Sequence, residues 1–334
     1  MSRAAEGPDG DLVRCLADGR YHSGETLGAL LGVSRAAVWK RLQKLAVFGL
    51  DVESVRGKGY RLPGGLNLLD AEGLRAAMAA AGGNPQALSL HLLDATDSTN
   101  ADALALSREG LRQPLAVLAE YQRAGRGRRG RAWQSPYGRN LYLSYAESFS
   151  GGAAALDGLS LVVGVVVADV LAGAGLAERV QLKWPNDIWV GGRKLGGILV
   201  ELAGDMDGVC VPVIGIGING HLSAAAAGAI DQPWTDLARE LGGAPDRSGL
   251  AGALLAGLQR ALATFRQQGF APFRAAWQQY DCCAGEYVTV QLGERRITGR
   301  ACGVTAQGAL LVDVEGTLQQ FHGGEVSVRP LPSE

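Results

Sequence analysis

The run Leu159-Ser-Leu-Val-Val-Gly-Val-Val-Val-Ala-Asp-Val-Leu-Ala-Gly-Ala-Gly-Leu176 limits what this chain can fold into more than any other stretch. It offers water no polar face, so it needs apolar surroundings on every side. Its length is borderline for a membrane span, Asp169 falls near its middle, and its flanks lack basic anchors. A helix buried in a large α/β core explains it better, and no membrane partner is expected. A chain of 334 residues can bury such a core and suggests two or three domains. Apolar content of 47% and charged content of 19% fit an ordinary globular protein, not a disordered one.

The net charge is −1, so the molecule as a whole is no general polyanion binder, and any nucleic-acid surface must be local. Residues 10 to 62 carry such a surface. A short amphipathic helix over Asp11–Leu16 precedes a second over Ser23–Leu31, with Ser23 as a candidate cap, and Gly32-Val33 makes a tight turn. Ser34 then caps a helix to Leu45. In it Val38, Leu42 and Leu45 recur at core spacing, while Arg35, Ala36, Trp39, Lys40 and Gln43 fall on other faces, where a recognition helix shows side chains to a major groove. Leu50–Leu62 alternates around Gly57-Lys58-Gly59 as a hairpin does, and Arg56 and Lys58 on such a wing can touch phosphates. Between Ser34 and Leu62 seven Lys/Arg face two acids, a local +5. A helical pair that only mediates protein contacts is the other reading. Leu66–Asp70 looks like a hinge.

The five cysteines, Cys15, Cys210, Cys282, Cys283 and Cys302, form no C-x-x-C pair, and the adjacent two cannot easily bridge each other. They read as reduced thiols of a cytoplasmic protein without a Cys-based zinc site. The first residues show no apolar stretch of a signal peptide, in line with a cytoplasmic location.

Gly125-Arg126-Gly127-Arg128-Arg129-Gly130-Arg131 alternates four arginines with three glycines, and no Asp or Glu occurs between Tyr121 and Tyr145. Guanidinium forks match phosphate and carboxylate oxygens, and glycine lets backbone approach a ligand. A mobile loop that wraps an anion is one reading; a solvated basic loop and a nonspecific nucleic-acid contact are others. Asp97-Ser98-Thr99-Asn100 sits at a strand end before a helix, where its polar groups can cap the helix or hold a small polar head group. Val180–Lys183 is a strand stopped by Pro185, with Lys183, Trp184, Asn186 and Asp187 at its end. Gly191–Glu201 reads as a hairpin return whose Gly196 and Gly197 suggest close approach. Gly215, Gly217 and Gly220 satisfy G-x-G-x-x-G, but no βαβ context or helix start accompanies them, so a dinucleotide site rests on little. No P-loop occurs. From Ala284 onward, Tyr287–Leu292, Arg296–Cys302, Ala309–Val314 and Glu325–Arg329 read as short strands of a small antiparallel barrel.

Taken in order, Asp97–Asn100, Glu120–Arg131 with Trp133, Lys183–Asp187, Arg193–Glu201 and Gly215–Asn219 resemble the biotin–protein ligase (biotin–[acetyl-CoA-carboxylase] ligase) family, and the module in front resembles its bifunctional form, which also represses the biotin operon. The likeness runs from about Leu12 to Arg329. Gly196 stands where many members have Ala, and Gly220 where a larger residue is usual; glycine there could loosen the pocket slightly. The resemblance implies an α+β multidomain fold: a winged helix-turn-helix (1–65), an α/β ligase domain with a mixed sheet (66–281) and an SH3-like C-terminal β-barrel (282–334).

The resemblance also implies ATP, biotin and Mg²⁺, with no residue assigned to the metal. Biotin carboxylate would attack the α-phosphate of ATP, and a lysine of the biotin carboxyl carrier protein of acetyl-CoA carboxylase would then attack the adenylate. It implies Lys183, Arg126 and Arg128 as catalytic cations. Ser98, Thr99, Asn100, Gln122, Gly127, Gly197, Gly215 and Gly217 would join them around biotin. Arg128, Arg129, Arg131, Trp133, Lys183, Asn186 and Asn219 would meet the nucleotide. Ser34, Arg35, Ala36, Trp39, Lys40, Gln43, Arg56 and Lys58 would meet operator DNA, bound by an adenylate-loaded homodimer. A sensor-only winged-helix transcription factor and a lipoate-type ligase on the same fold are the alternatives.

Overall fold

The computed structural model describes residues 8–108, 110–204, 208–222, 228, 230–322 and 326–330. Three helices open the chain: α1 (Gly10–Leu16), α2 (Gly24–Leu31) and α3 (Arg35–Leu45). Ser23 and Ser34 accept hydrogen bonds from Thr26 N and Ala37 N, so both serines cap as their positions predict. Gly32 (φ 64°) ends α2 in the left-handed region and turns the chain into α3. Leu12, Leu16, Leu27, Val38, Leu42 and Leu45 close on one another with Leu50 and Leu62. Strands β1 (Glu53–Val55) and β2 (Gly59–Arg61) form the expected antiparallel hairpin.

The 66–70 stretch is pinned, in contrast to the hinge expected there. Leu66 and Leu68 pack on the N-terminal core, Leu69 N donates to Glu120 Oε1, and Asp70 caps the next helix. That helix, α4 (Ala71–Ala80), leads into β3 (Ser89–Leu93), α5 (Thr99–Arg108), β4 (Leu115–Ala119), β5 (Leu141–Ala146), β6 (Phe149–Ser150), α6 (Leu159–Leu171), β7 (Val180–Lys183), β8 (Asp187–Val190), β9 (Arg193–Gly204) and β10 (Val209–Ile218). Helices α7 (Leu237–Leu241), α8 (Arg247–Gln268) and α9 (Arg274–Tyr280) follow.

The strands form one mixed sheet in the order β3-β4-β5-β10-β9-β8-β7, with β6 beside β10. Within it β3 and β4 run parallel, and the other pairings are antiparallel. Helix α6 is apolar all round because it is covered on two sides. A Cβ at Gly164 would touch Leu182 and Ile198 of the sheet, and a Cβ at Gly257 of α8 would meet Val166. Stretch 153–176 is long and apolar enough to cross a membrane, yet 61% of its most apolar window is buried inside the protein. Asp169 escapes to the surface and accepts a hydrogen bond from Tyr280 Oη at 2.8 Å.

Side chains alternate across β10, so Val211 and Val213 pack towards Ala103 of α5 while Ile214, Ile216 and Ile218 join the core under α6. Gly215 and Gly217 share the α5 face. They lie inside a strand paired antiparallel on both sides, not in a parallel βαβ unit, which removes the dinucleotide reading.

The C-terminal unit is a five-stranded antiparallel sheet, ordered β14 (Thr317–Phe321), β13 (Leu310–Val314), β12 (Arg295–Val304), β11 (Tyr287–Leu292), β15 (Val326–Pro330). Strand β14 is one the sequence reading passed over, and Glu325, expected to open the last strand, lies outside the described residues. Among the described residues no pairing joins β14 to β15. Trp184 Nε1 donates to Gly308 O at 3.0 Å and ties this unit to the end of β7.

Candidate active site

A cavity of about 830 Å³ lies on the α5 face of the central sheet. Ser98, Thr99 and Asn100 reach it from the start of α5, Gln122 from the loop after β4, Lys183 and Asn186 from the β7–β8 turn, Gly197 from β9, Gly215 and Gly217 from β10, and Asn219 from just beyond it. The arginine–glycine loop supplies Arg126, Gly127, Arg128, Arg129, Arg131 and Trp133. All the residues assigned above to biotin and nucleotide therefore line one cavity.

Two motifs far apart in sequence are stitched together at its base. Thr96 pairs with Gln122, Arg123 N donates to Thr96 O at 2.9 Å, and Arg123 meets Asp97 in an ion pair at 2.5 Å. Thr99 N and Oγ1 both donate to Gln122 Oε1, at 2.9 and 3.1 Å. This fixes the amide group of Gln122 at the buried end of the cavity. Asn100 Nδ2 donates to Glu201 Oε2 at 2.8 Å, and Arg126 reaches the same carboxylate at 3.1 Å.

The loop is more ordered than an open wrap. Gly127 N donates to Arg131 O and Trp133 N to Gly125 O, so it folds back as a small hairpin, with Arg129 in the left-handed region (φ 58°). Arg129 and Arg131 are exposed at the mouth. Arg128 turns inward and donates to Asn186 Oδ1 at 3.1 Å. Burial, followed by repulsion from Arg129, pulls the Arg128 guanidinium below its ordinary value, though arginine keeps its charge. Asn186 also donates to Ile198 O, and Asn219 Nδ2 donates to Thr235 O. Both asparagines are thus engaged in shaping the wall.

Lys183 Nζ sits 4.5 Å from the centroid of the Trp189 ring. Burial lowers its pKa first, and the nearby Asp187 carboxylate opposes the shift. Asp187 is itself paired with Lys194 at 2.7 Å. A Cβ at Gly215 would lie 2.4 Å from Asn100 Oδ1, and one at Gly217 would lie 2.8 Å from the Trp133 ring, so a side chain at either would displace Asn100 or Trp133. Trp133 Nε1 is buried without a partner, a donor left for a ligand.

Several contributors to the site carry no assignment from the sequence, among them the cavity-lining Tyr142, Gln232 and Trp234. Ser144, fully buried, lies within hydrogen-bond distance of Thr99 Oγ1 (2.8 Å) and Asn100 Oδ1 (2.6 Å), and its place in an apolar strand gives no sign of this. Lys194 and Trp189 stand in or beside quoted motifs, but only the fold turns them to the cavity, and Glu201 reaches it only through Asn100 and Arg126. Gly196 and Gly220 also differ from expectation. A Cβ there would lie 2.6 Å from Gly217 O and 2.2 Å from Arg139 O, so both mark tight backbone contacts instead of a looser pocket. Among the described residues no three His, Cys, Asp or Glu converge as a metal site.

At the N-terminal surface, Ser34, Arg35, Ala36, Trp39, Lys40, Gln43, Arg56 and Lys58 are all exposed. Trp39 keeps 53% of its surface in solvent, unusual for an indole with no partner to serve. Arg61, by contrast, is held by Glu53 at 2.6 Å over the Tyr21 ring.

Three family models match the chain: an HTH domain over residues 11–61, the biotin/lipoate A/B protein ligase family over 92–219, and the biotin protein ligase C-terminal domain over 284–329. The bifunctional ligase/repressor BirA of Salmonella typhimurium and that of Escherichia coli are each 44% identical to it, covering 95% of this chain and 96% of theirs. Among solved structures, biotin protein ligase from Aquifex aeolicus in complex with biotin and ATP is similar, with 29% identity and a TM-score of 0.62. That match covers 73% of this chain and 99% of the Aquifex chain. The chain belongs to the biotin–protein ligase family, in its bifunctional ligase/repressor form.

Proposed function

We propose that the cavity activates biotin with ATP as biotinyl-5′-AMP and passes it to a lysine of a carrier protein, the biotin carboxyl carrier protein of acetyl-CoA carboxylase. The chain is a biotin–protein ligase with a repressor module. The observation that carries the chemistry is the convergence of Lys183, Arg126 and Arg128 on one partly enclosed space. Joining a carboxylate to a phosphate brings two anions together, and preplaced cations offset that repulsion. Lys183, desolvated and standing at a strand end, would bridge carboxylate and α-phosphate. Ser98, Thr99 and Gln122 would hold the polar end of biotin, with Asn100 beside them. The floor at Gly215 and Gly217 would admit the flat ligand, and Trp133 would cover the adenine. Arg129, Arg131, Asn186 and Asn219 would serve the nucleotide side. Mg²⁺ would arrive on the phosphates of ATP, where water completes its shell. The loop would then shield the mixed anhydride from water.

Residues 1–65, 66–281 and 282–334 would act as DNA-reading, catalytic and SH3-like capping units in a cytoplasmic protein. The exposed basic face of α3 and the β1–β2 wing favours operator binding by a homodimer, with the adenylate as corepressor. Equal operator affinity with and without biotin plus ATP would remove the corepressor coupling. The ligase reading is tested by biotin-dependent ATP–pyrophosphate exchange in the wild type and in Lys183→Ala. Exchange that requires biotin and collapses in the variant supports it. No exchange by folded protein moves a sensor-only repressor to the front.

A further inference from the structure

Cys282 and Cys283 stand outside every role assigned above. Their Sγ atoms are 3.6 Å apart. A disulfide needs about 2.05 Å, so these are two thiols held side by side. Two sulfurs on one tetrahedral zinc ion, each at about 2.3 Å, stand about 3.8 Å apart, so the pair is near the spacing at which one soft atom bridges two sulfurs. Cys283 is buried (1% exposed) and Cys282 partly exposed, which leaves one sulfur for first contact and a second for closure. The hydrogen bond between them pulls the Cys283 thiol below its ordinary value and, with burial, pushes that of Cys282 up.

The pair is fastened to the reaction centre. Cys282 N donates to Leu182 O at 3.0 Å, one residue before Lys183, and Cys283 N donates to Asp281 Oδ1 at 2.9 Å. Any shift of this dipeptide therefore pulls on the end of β7. With only two sulfurs and no third His, Cys, Asp or Glu converging among the described residues, a divalent metal would lack a shell. A centre that brings its own third substituent does not need one.

We propose that Cys282–Cys283 is a vicinal dithiol site for trivalent arsenicals, and that filling it disables Lys183 through the Leu182–Cys282 backbone contact. With phenylarsine oxide as probe, two S–As bonds form while two S–H bonds and the As–oxygen double bond break. One water leaves, and arsenic stays trivalent, so no oxidant is involved.

The test uses the full chain, native and reduced, with one equivalent of phenylarsine oxide, read by intact mass and by biotin-dependent ATP–pyrophosphate exchange. One phenylarsenic per chain is expected, stable to excess glutathione and removed by 2,3-dimercaptopropanol. Exchange is lost with the adduct and returns when it is removed. Cys282→Ser and Cys283→Ser should each fail to hold the adduct, whereas Cys302→Ser should hold it. No glutathione-stable adduct, or one that persists in Cys282→Ser, overturns the site. A stable adduct with undiminished exchange overturns the link to Lys183. The mass readout does not depend on ligase activity, so an unmodified protein without exchange would sink the ligase reading and leave the dithiol site still decided.

Discussion

The Phe48 ring stands edge-on against the Tyr121 ring, centroids 5.1 Å apart and planes at 83°. Phe48 follows helix α3, and Tyr121 precedes Gln122 of the cavity. Tyr137, on the far stem of the arginine loop, donates its N–H to Phe48 O at 3.1 Å and is itself buried in the N-terminal core. The winged module thus grips both stems of the loop that covers the cavity. Edge-to-face pairs contribute about 0.5–1.5 kcal/mol beyond their buried area. Tyr121→Ala should therefore weaken biotin binding by roughly 2- to 10-fold, the same energy expressed as affinity. Titration calorimetry checks this; unchanged affinity would mean that the contact holds the domains together without reaching the site.

Glu201 holds Arg126 and Asn100 at once. Because the Arg126–Glu201 pair is partly exposed, its own worth is about 0–1 kcal/mol. Glu201→Ala should leave stability nearly unchanged but free the loop. The KM for biotin should rise up to about 5-fold, and the adenylate should dissociate faster in a filter-retention assay. A slower off-rate would mean that Glu201 competes with substrate for Arg126 instead of positioning it.

How far the sequence could be read follows from which forces are local. Caps such as Ser23 and Ser34, the alternation of the wing and the all-round apolarity of α6 are written in neighbouring residues, and each formed where expected. The cavity's cations and glycines were legible because their residue types are uncommon in combination. Ser144 was not, since a serine in an apolar strand reads as a tolerated core residue until Thr99 and Asn100 are folded over it. Strand β14 was missed because Thr317-Leu-Gln-Gln-Phe321 has too few apolar residues to announce itself, and only pairing with β13 makes it a strand. The pinned linker depends on Glu120, which is distant in sequence.

Glu120 and Arg247 form an ion pair at 2.7 Å with both side chains almost wholly buried. Arg247 also donates to Asn140 O and Asn67 O, so one guanidinium joins the linker, the stem of the arginine loop and α8. Removing one partner strands the other charge. Arg247→Met should cost about 3–5 kcal/mol in urea unfolding, and adding Glu120→Gln should recover part of that loss. If the double variant is as unstable as the sum of the singles, the two residues do not act as a pair.

Burying Lys183 is costly for the folded state, and the proposed adenylation gives it the bridging charge. Burial holds its ammonium below the ordinary lysine value, so the native protein resists the charge that the unfolded chain carries freely. For a depressed pKa the penalty is full below the folded value. It lifts as pH rises from there towards the ordinary lysine value of 10.5. Wild-type stability should therefore improve relative to Lys183→Met across that alkaline window, while at pH 7.5 the Met variant should be the more stable ligand-free protein. The same variant should lose about 10²- to 10³-fold in pyrophosphate exchange, the scale for removing one preplaced charge-stabilising donor. Thermal melts at pH 7.5 and near pH 10, run beside the exchange assay, separate the two effects. A Met variant that is less stable at pH 7.5 would show that the contact of Lys183 with the Trp189 ring outweighs the cost of burying its charge.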